Sequence, residues 1–226
     1  LLFRLGNVKK NIGYNREGRG FLLDFSPEIN YHKHYINRYA FLFNEYIGNK
    51  YVYLPELSLR YTGQKTFQFD NSHKTIALYL GGENKEFRKY PDEYAVQLLR
   101  LLNRQGYNLL LIGDENDNIK HTQYAEEARI DHLINLTART TIEGFINTIA
   151  NVDLIITIDS SALHIAAAVK TPFIALMGLS TSPTSTILPK VPLGRILKIE
   201  NNLIREEDYI RNITPDLILK TISELI

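Results

Sequence analysis

The sequence predicts an α/β fold built on a doubly wound parallel sheet, and three observations carry that prediction. From Thr75 onward, short apolar runs alternate with segments of helical periodicity. Within that region Asp153 to Gly178, DLIITIDSSALHIAAAVKTPFIALMG, contains an apolar run, an Ala-rich helical segment and a second apolar run. Strands apolar at every position are buried on both faces, and two of them joined through a helix run parallel. Finally, the runs close on Gly, Asp and Ser, at the carboxyl ends where open parallel sheets bind ligands.

Residues 1 to 70 differ in character from the rest: they hold eight of the 14 tyrosines, much Asn and Arg, and no long apolar run. His34 to Ile47 places Tyr35, Tyr39, Leu42, Phe43 and Tyr46 at helical spacing, which predicts a packed aromatic stripe. Residues 51 to 73, with Pro55, Gly63 and scattered polar residues, read as an extended linker. Ile76 to Leu80 is the first strand, ending in Gly81-Gly82. Pro91 suits the first turn of a helix whose buried face is Tyr94, Ala95, Leu98, Leu99 and Leu102, stopped at Gly106.

Asn108 to Ile112 is the next strand, closed by Gly113-Asp114-Glu115, and a polar helix runs from there to Arg129. Leu133 to Leu136 is short and strand-like, and Thr140 or Thr141 caps a helix reaching Asn151. Leu154 to Ile158, a helix Ala162 to Val169 and Phe173 to Met177 form the βαβ unit. A Ser/Thr/Pro/Gly loop then leads to Gly194, followed by a strand Ile196 to Ile199 and a last helix Pro215 to Ile226.

Composition narrows the function. A chain of 226 residues is long enough for a substantial core. A net charge of +1 gives no bulk attraction to nucleic acid or membrane. The absence of cysteine removes disulfides and thiol chemistry and fits a reducing compartment. No apolar run reaches the length of a membrane span. The chain opens on Leu1, inside an apolar segment, so a fragment or a trimmed chain is expected.

The candidate site lies after Ile158. Asp159 breaks the strand, Ser160 and Ser161 offer oxygens at the start of the next helix, and His164 follows one turn in on the same face. A helix N-terminus presents unpaired N–H groups and partial positive charge, so these residues together make an anion site. The same residue types also suit a plain helix cap and a packed core histidine.

Asp159-Ser160-Ser161-Ala162-Leu163-His164-Ile165-Ala166 resembles the D-[TS]-G-x-x-H-x-A signature of glycosyltransferase family 9, the lipopolysaccharide heptosyltransferases, with Ser161 where the family has Gly. Arg88-Lys89-Tyr90-Pro91 resembles the family's K-x-W-P, whose lysine contacts the donor diphosphate; Arg88 takes that position. Gly113-Asp114-Glu115 is similar to its G-x-E, whose glutamate holds the ribose. Gly178-Leu179-Ser180-Thr181-Ser182-Pro183 is similar to its G-P-T-x-P phosphate loop, one residue longer. Asn11-Ile12-Gly13-Tyr14 resembles a segment late in the family's acceptor domain.

The resemblance implies a GT-B fold, with residues 1–73 the tail of an acceptor domain plus linker and 74–226 the donor-binding domain. In that arrangement the last helix can pack back on the N-terminal part. It implies an inverting, metal-independent transferase of bacterial lipopolysaccharide biosynthesis. No cofactor is expected; the donor is a nucleotide-diphosphate sugar substrate, with heptose the expected sugar and ADP-heptose a candidate. The expected acceptor is a lipopolysaccharide core or another glycan. Nucleic acid is not an expected partner. The location implied is cytoplasmic, with peripheral contact at the inner membrane.

Arg88, Lys89, Glu115, Asp159, Ser160, Ser161, His164, Gly178, Ser180 and Thr181 are the implied donor-binding residues. The family's general base is an Asp near the start of the acceptor domain and has no counterpart here, so these residues alone are expected to bind donor but transfer poorly. A non-catalytic nucleotide-sugar-binding module is the alternative, and a GT-B-like epimerase would need further carboxylates. No G-x-G-x-x-G or P-loop follows a strand, no second Asp stands at 161 for a dehalogenase-like phosphatase, and no metal-ligand spacing is present.

Overall fold

The structure is a computed structural model that describes residues 6, 8–16, 18–30, 35–48, 58–70, 72–81, 89–178, 188–189, 191–199 and 205–226. The chain forms two compact units, Leu1–Glu56 with Ser182–Leu188, and Leu57–Thr181 with Pro189–Ile226.

In the smaller unit, an isolated parallel bridge joins Ile12 to Phe25. Asp24 reinforces it: its backbone N–H donates to Asn11 O at 2.7 Å, and its carboxylate accepts from Asn11 N at 2.7 Å. Helix α1 is Tyr35–Ile47, and the Tyr14 hydroxyl donates to Arg38 O on it. The expected aromatic stripe is not its buried face. Arg38 and Leu42 are buried, whereas Tyr39, Phe43 and Tyr46 are exposed. A stripe of apolar spacing fixes which residues share a face; here the inward face is the adjacent one, along Arg38 and Leu42.

The larger unit holds a six-stranded, all-parallel sheet. Its strands are β1 (Thr75–Tyr79), β2 (Asn108–Leu111), β3 (Leu133–Asn135), β4 (Leu154–Ile158), β5 (Phe173–Leu176) and β6 (Gly194–Leu197), in the order β3-β2-β1-β4-β5-β6. The order reverses between β1 and β4, paired from Ile76↔Leu154 to Tyr79↔Thr157. Every residue of β1, β2, β4 and β5 is buried, which is why they read as unbroken apolar runs rather than alternating ones.

Among the described residues, five α-helices belong to this unit: α2 (Asp92–Arg104), α3 (Asn118–Ala128), α4 (Ile142–Ala150), α5 (Ser161–Val169) and α6 (Pro215–Ile222). α2 packs on α3, α6 and β2, and α5 on α4, β4 and β5. Ala95, Val96, Leu98, Leu99 and Leu102 form the buried face of α2. Pro91 is its N-cap rather than its first helical residue; a φ of −56° with ψ of 136° is an extended conformation that proline favours. Thr141 caps α4 through Gly144 N at 3.1 Å, and Thr214 caps α6 through Leu217 N at 3.3 Å. α6 stops at Ile222, four residues short of the expected end. The Tyr90 hydroxyl, on a side chain just before α2, donates to Ile213 O at 2.9 Å and ties that turn to the C-terminal segment.

Residues 58–70 contain no regular element, yet they are fastened to α4. Gly63 N donates to Asn147 Oδ1 at 3.1 Å, Asn147 Nδ2 donates to Thr62 Oγ1 at 2.8 Å, and the Thr66 and Thr148 hydroxyls bond at 2.6 Å. The segment has no regular element but is held to α4 by these bonds.

On the inner face of α3, His121 is fully buried with Nδ1 2.7 Å from Thr137 Oγ1. Burial pushes its imidazole down from 6.5 to about 4, against the opposing pull of the Asp114 carboxylate. The native state therefore keeps His121 neutral where the unfolded chain protonates, so this group's stabilisation is complete above 6.5 and is lost as pH falls toward 4. The full loss is about 3 kcal/mol. Urea unfolding of His121→Gln is expected to depend less steeply on pH between 6.5 and 4 than that of the parent; equal slopes would contradict this.

Candidate functional site

The ligand crevice of a doubly wound sheet lies outside the carboxyl ends of the strands where their order reverses. In this sheet that point is between β1 and β4. Gly81 follows β1 and Asp159 follows β4, each two residues or fewer beyond the paired ladder. Ser160 adopts extended backbone, φ −148° and ψ 174°, and caps α5: its Oγ accepts from Ala162 N at 3.2 Å. The Thr157 hydroxyl, from the last turn of buried strand, lies 2.9 Å from Ser160 Oγ and fixes that cap. The cap thus consumes the Ser160 side chain.

Ser161 and His164 are the exposed residues of the first turn, while Ala162 and Leu163 between them are fully buried. His164 is therefore not a packed core histidine. It stands with Ser161 on the outward face at i,i+3 spacing, about 5 to 6 Å between Cβ atoms. Asp159 is half-buried at the mouth of the turn. One helix N-terminus, one hydroxyl, one imidazole and one carboxylate are brought together, and chemically such a set binds an anion and orients hydroxyl groups.

On the β2 side, Gly113 precedes a single 3-10 turn, Glu115–Asp117. Asp114 caps it by accepting from Asn116 N at 2.8 Å. Glu115 is exposed just beyond the carboxyl end of β2. Gly113 O in turn accepts from Ala138 N at 3.1 Å, so β2 and β3 stay joined beyond their strands. Lys89 is half-buried just before α2. Burial pushes the nearby Asp92 carboxyl up, but hydrogen bonds from Lys120 and Tyr124 and the charges of Lys120 and Lys89 outweigh it and lower it overall. Gly178 is buried after β5. Arg88, Ser180 and Thr181 lie outside the described residues.

Asp117 was not among the expected site residues, though it is the most buried acid at these strand ends, 5% exposed. Its signal in the sequence is weak, one of three acids in a run of four polar residues. Among the described residues, no group of three or more His, Asp or Glu is placed to hold a metal ion. No helix of the described residues is long and apolar enough to cross a membrane.

The sheet order and its reversal define an open, doubly wound α/β domain with the N-terminus of α5 at the reversal point. Residues 1–207 match glycosyltransferase family 9 (heptosyltransferase), and the chain belongs to that family. Lipooligosaccharide heptosyltransferase 2 of Haemophilus influenzae is 31% identical over 158 residues, covering 65% of this chain and 45% of the relative. Lipopolysaccharide heptosyltransferase 2 of Salmonella typhimurium is 25% identical over 172 residues, 71% of this chain and 49% of the relative. The chain thus spans about half the length of the curated relatives it matches.

Among solved structures, ADP-heptose lipopolysaccharide heptosyltransferase II of E. coli superposes with a TM-score of 0.83 at 20% identity, over 99% of this chain and 72% of that one. E. coli heptosyltransferase WaaC with ADP-2-deoxy-2-fluoro heptose gives 0.62 at 17%, over 90% and 60%. These likenesses are of fold, and they agree with the GT-B type expected from the sequence.

Proposed function

We propose that the larger unit is the donor-binding domain of a heptosyltransferase and takes a nucleotide-diphosphate sugar, ADP-heptose, as substrate. The observation that carries this reading is the N-terminus of α5 at the sheet's reversal point, with Ser161 and His164 exposed on its first turn. In the reaction, an acceptor hydroxyl of a lipopolysaccharide core gives its proton to a general base of the acceptor domain and attacks the anomeric carbon with inversion as the bond to the diphosphate breaks. Negative charge then grows on the leaving ADP. The α5 terminus, His164, Lys89 and Arg88 offset that charge, so the step proceeds without a metal. Glu115 accepts from the ribose hydroxyls, Asp159 orients sugar hydroxyls, and Gly178, Ser180 and Thr181 line the diphosphate. Residues 1–73 supply the tail of the acceptor domain and the linker, and 74–226 the donor domain. The work is done in the cytoplasm, against the inner face of the membrane that carries the acceptor.

A thermal-shift series with ADP-, GDP- and UDP-sugars tests this reading. ADP-heptose is expected to raise Tm most, because only a ligand of the native state stabilises it by mass action; no shift with any of them would refute it. His164→Ala is expected to weaken ADP binding by about one to two decades, the loss of one hydrogen bond to a charged group. Its Tm should barely move, since the side chain is exposed. A large Tm loss with unchanged affinity would remove His164 from the site.

A further inference from the structure

We propose that Asp117 is a positioning residue: its buried carboxylate sets the strand end after β1 and the ribose-facing turn after β2 at a fixed distance from each other. The inference rests on the donor reading and adds to it a residue that touches no donor atom.

Three neighbours in the turn, Asp114, Glu115 and Asn116, are exposed, and Asp117 alone folds inward. A buried carboxylate is tolerated only when it is hydrogen-bonded, and Asp117 Oδ2 accepts from Asp114 N at 3.3 Å. The same group lies against two glycines that follow two adjacent strands, Gly81 after β1 and Gly113 after β2. A Cβ on Gly81 would stand 1.8 Å from Asp117 Oδ1, and one on Gly113 would stand 2.8 Å from Oδ2. Neither glycine has a positive φ, so backbone conformation does not call for glycine at either place. Room for this carboxylate does.

β1 and β2 are paired up to Leu78↔Leu111, Ile112 N still donates to Leu78 O at 3.0 Å, and just beyond it the Asp117 carboxylate lies against both Gly81 and Gly113. Gly81 opens the segment that leads to Arg88 and Lys89, and Gly113 opens the turn that carries Glu115. Asp117 therefore couples the turn that carries Glu115 to the strand end at Gly81. A displacement of about 1 Å in such a constellation is enough to weaken binding of a group that must meet both.

The test uses the 226-residue chain with ADP as probe, read by titration calorimetry, thermal denaturation and amide hydrogen exchange. Asp117→Ala is expected to bind ADP about tenfold more weakly and to exchange faster at both Gly81 and Glu115. Asp117→Asn, whose amide oxygen still accepts from Asp114 N, should stay close to the parent. Gly81→Ala should also weaken ADP, and the double variant Gly81→Ala with Asp117→Ala should be no worse than the weaker single. A purely structural aspartate would lower Tm while leaving the affinity of the folded protein unchanged; that result, or losses that multiply in the double variant, would overturn the proposal. If Asp117→Ala does not fold, the Asn variant and Gly81→Ala decide by the same readouts. If the parent itself does not bind ADP, the donor reading falls, and exchange at Gly81 and Glu115 still judges the coupling.

Discussion

Ser161→Asp is expected to abolish nucleotide-diphosphate binding while leaving the domain as stable as the parent, or slightly more so. The two effects have opposite signs because one feature produces both. An acid in the first turn of a helix meets the positive end of its dipole and stabilises by roughly 0.3–1 kcal/mol, and Ser161 is exposed, so a larger side chain meets no core. The same charge sits where the diphosphate would bind. Two like charges about 4 Å apart near a protein surface repel by roughly 4 kcal/mol, about two to three decades in affinity. Circular-dichroism melting and ADP titration on one preparation check both halves. Retained ADP affinity in a folded Ser161→Asp variant would move the anion site away from α5.

The largest effect on stability is expected from Phe173→Ala. Phe173 is 1% exposed in β5 and registers directly with Gly194 of β6. A Cβ on Gly194 would come within 2.1 Å of the Phe173 ring, so the ring lies across the glycine and the two strands close over it. Removing a buried phenyl group costs about 3–5 kcal/mol, or about 10 °C in Tm for a domain of this size. Gly194→Ala alone should also destabilise, because the methyl must displace the ring. Combined with Phe173→Ala it enters space the ring has left, so the pair should cost clearly less than the sum of the singles. A thermodynamic cycle in urea measures this, and strict additivity would contradict the contact.

The same pair shows where the sequence runs out. Gly194 reads as the end of a loop and places the last strand at Ile196 to Ile199, whereas β6 is Gly194–Leu197. Glycine is there because a ring 21 positions earlier needs the room, a non-local fact that local propensity does not register. The four central strands were legible for the opposite reason. Burial on both faces requires unbroken apolar runs, and such runs need no knowledge of the partner.

In the site, Ser160 as cap follows from its place after a strand and before an Ala-rich segment. The outward direction of His164 does not, since apolar residues, Leu163 and Ile165, flank it on both sides; the helix's rotation against the sheet decided that. Asp117 was hidden in a polar turn because what distinguishes it is contact with Gly81, 36 residues away. The fastening of Thr62, Gly63 and Thr66 to α4 was equally illegible, its partners being 82 to 85 residues distant.

The central claim is that the α5 terminus at the reversal of the sheet receives the diphosphate of a sugar nucleotide. Amide hydrogen exchange of the chain with and without saturating ADP measures it most directly, because backbone N–H groups are the proposed ligands. Slowed exchange centred on residues 159–164, with a second region at 113–117, is the predicted result. ADP binding that leaves 159–164 unprotected and slows exchange elsewhere would contradict the account.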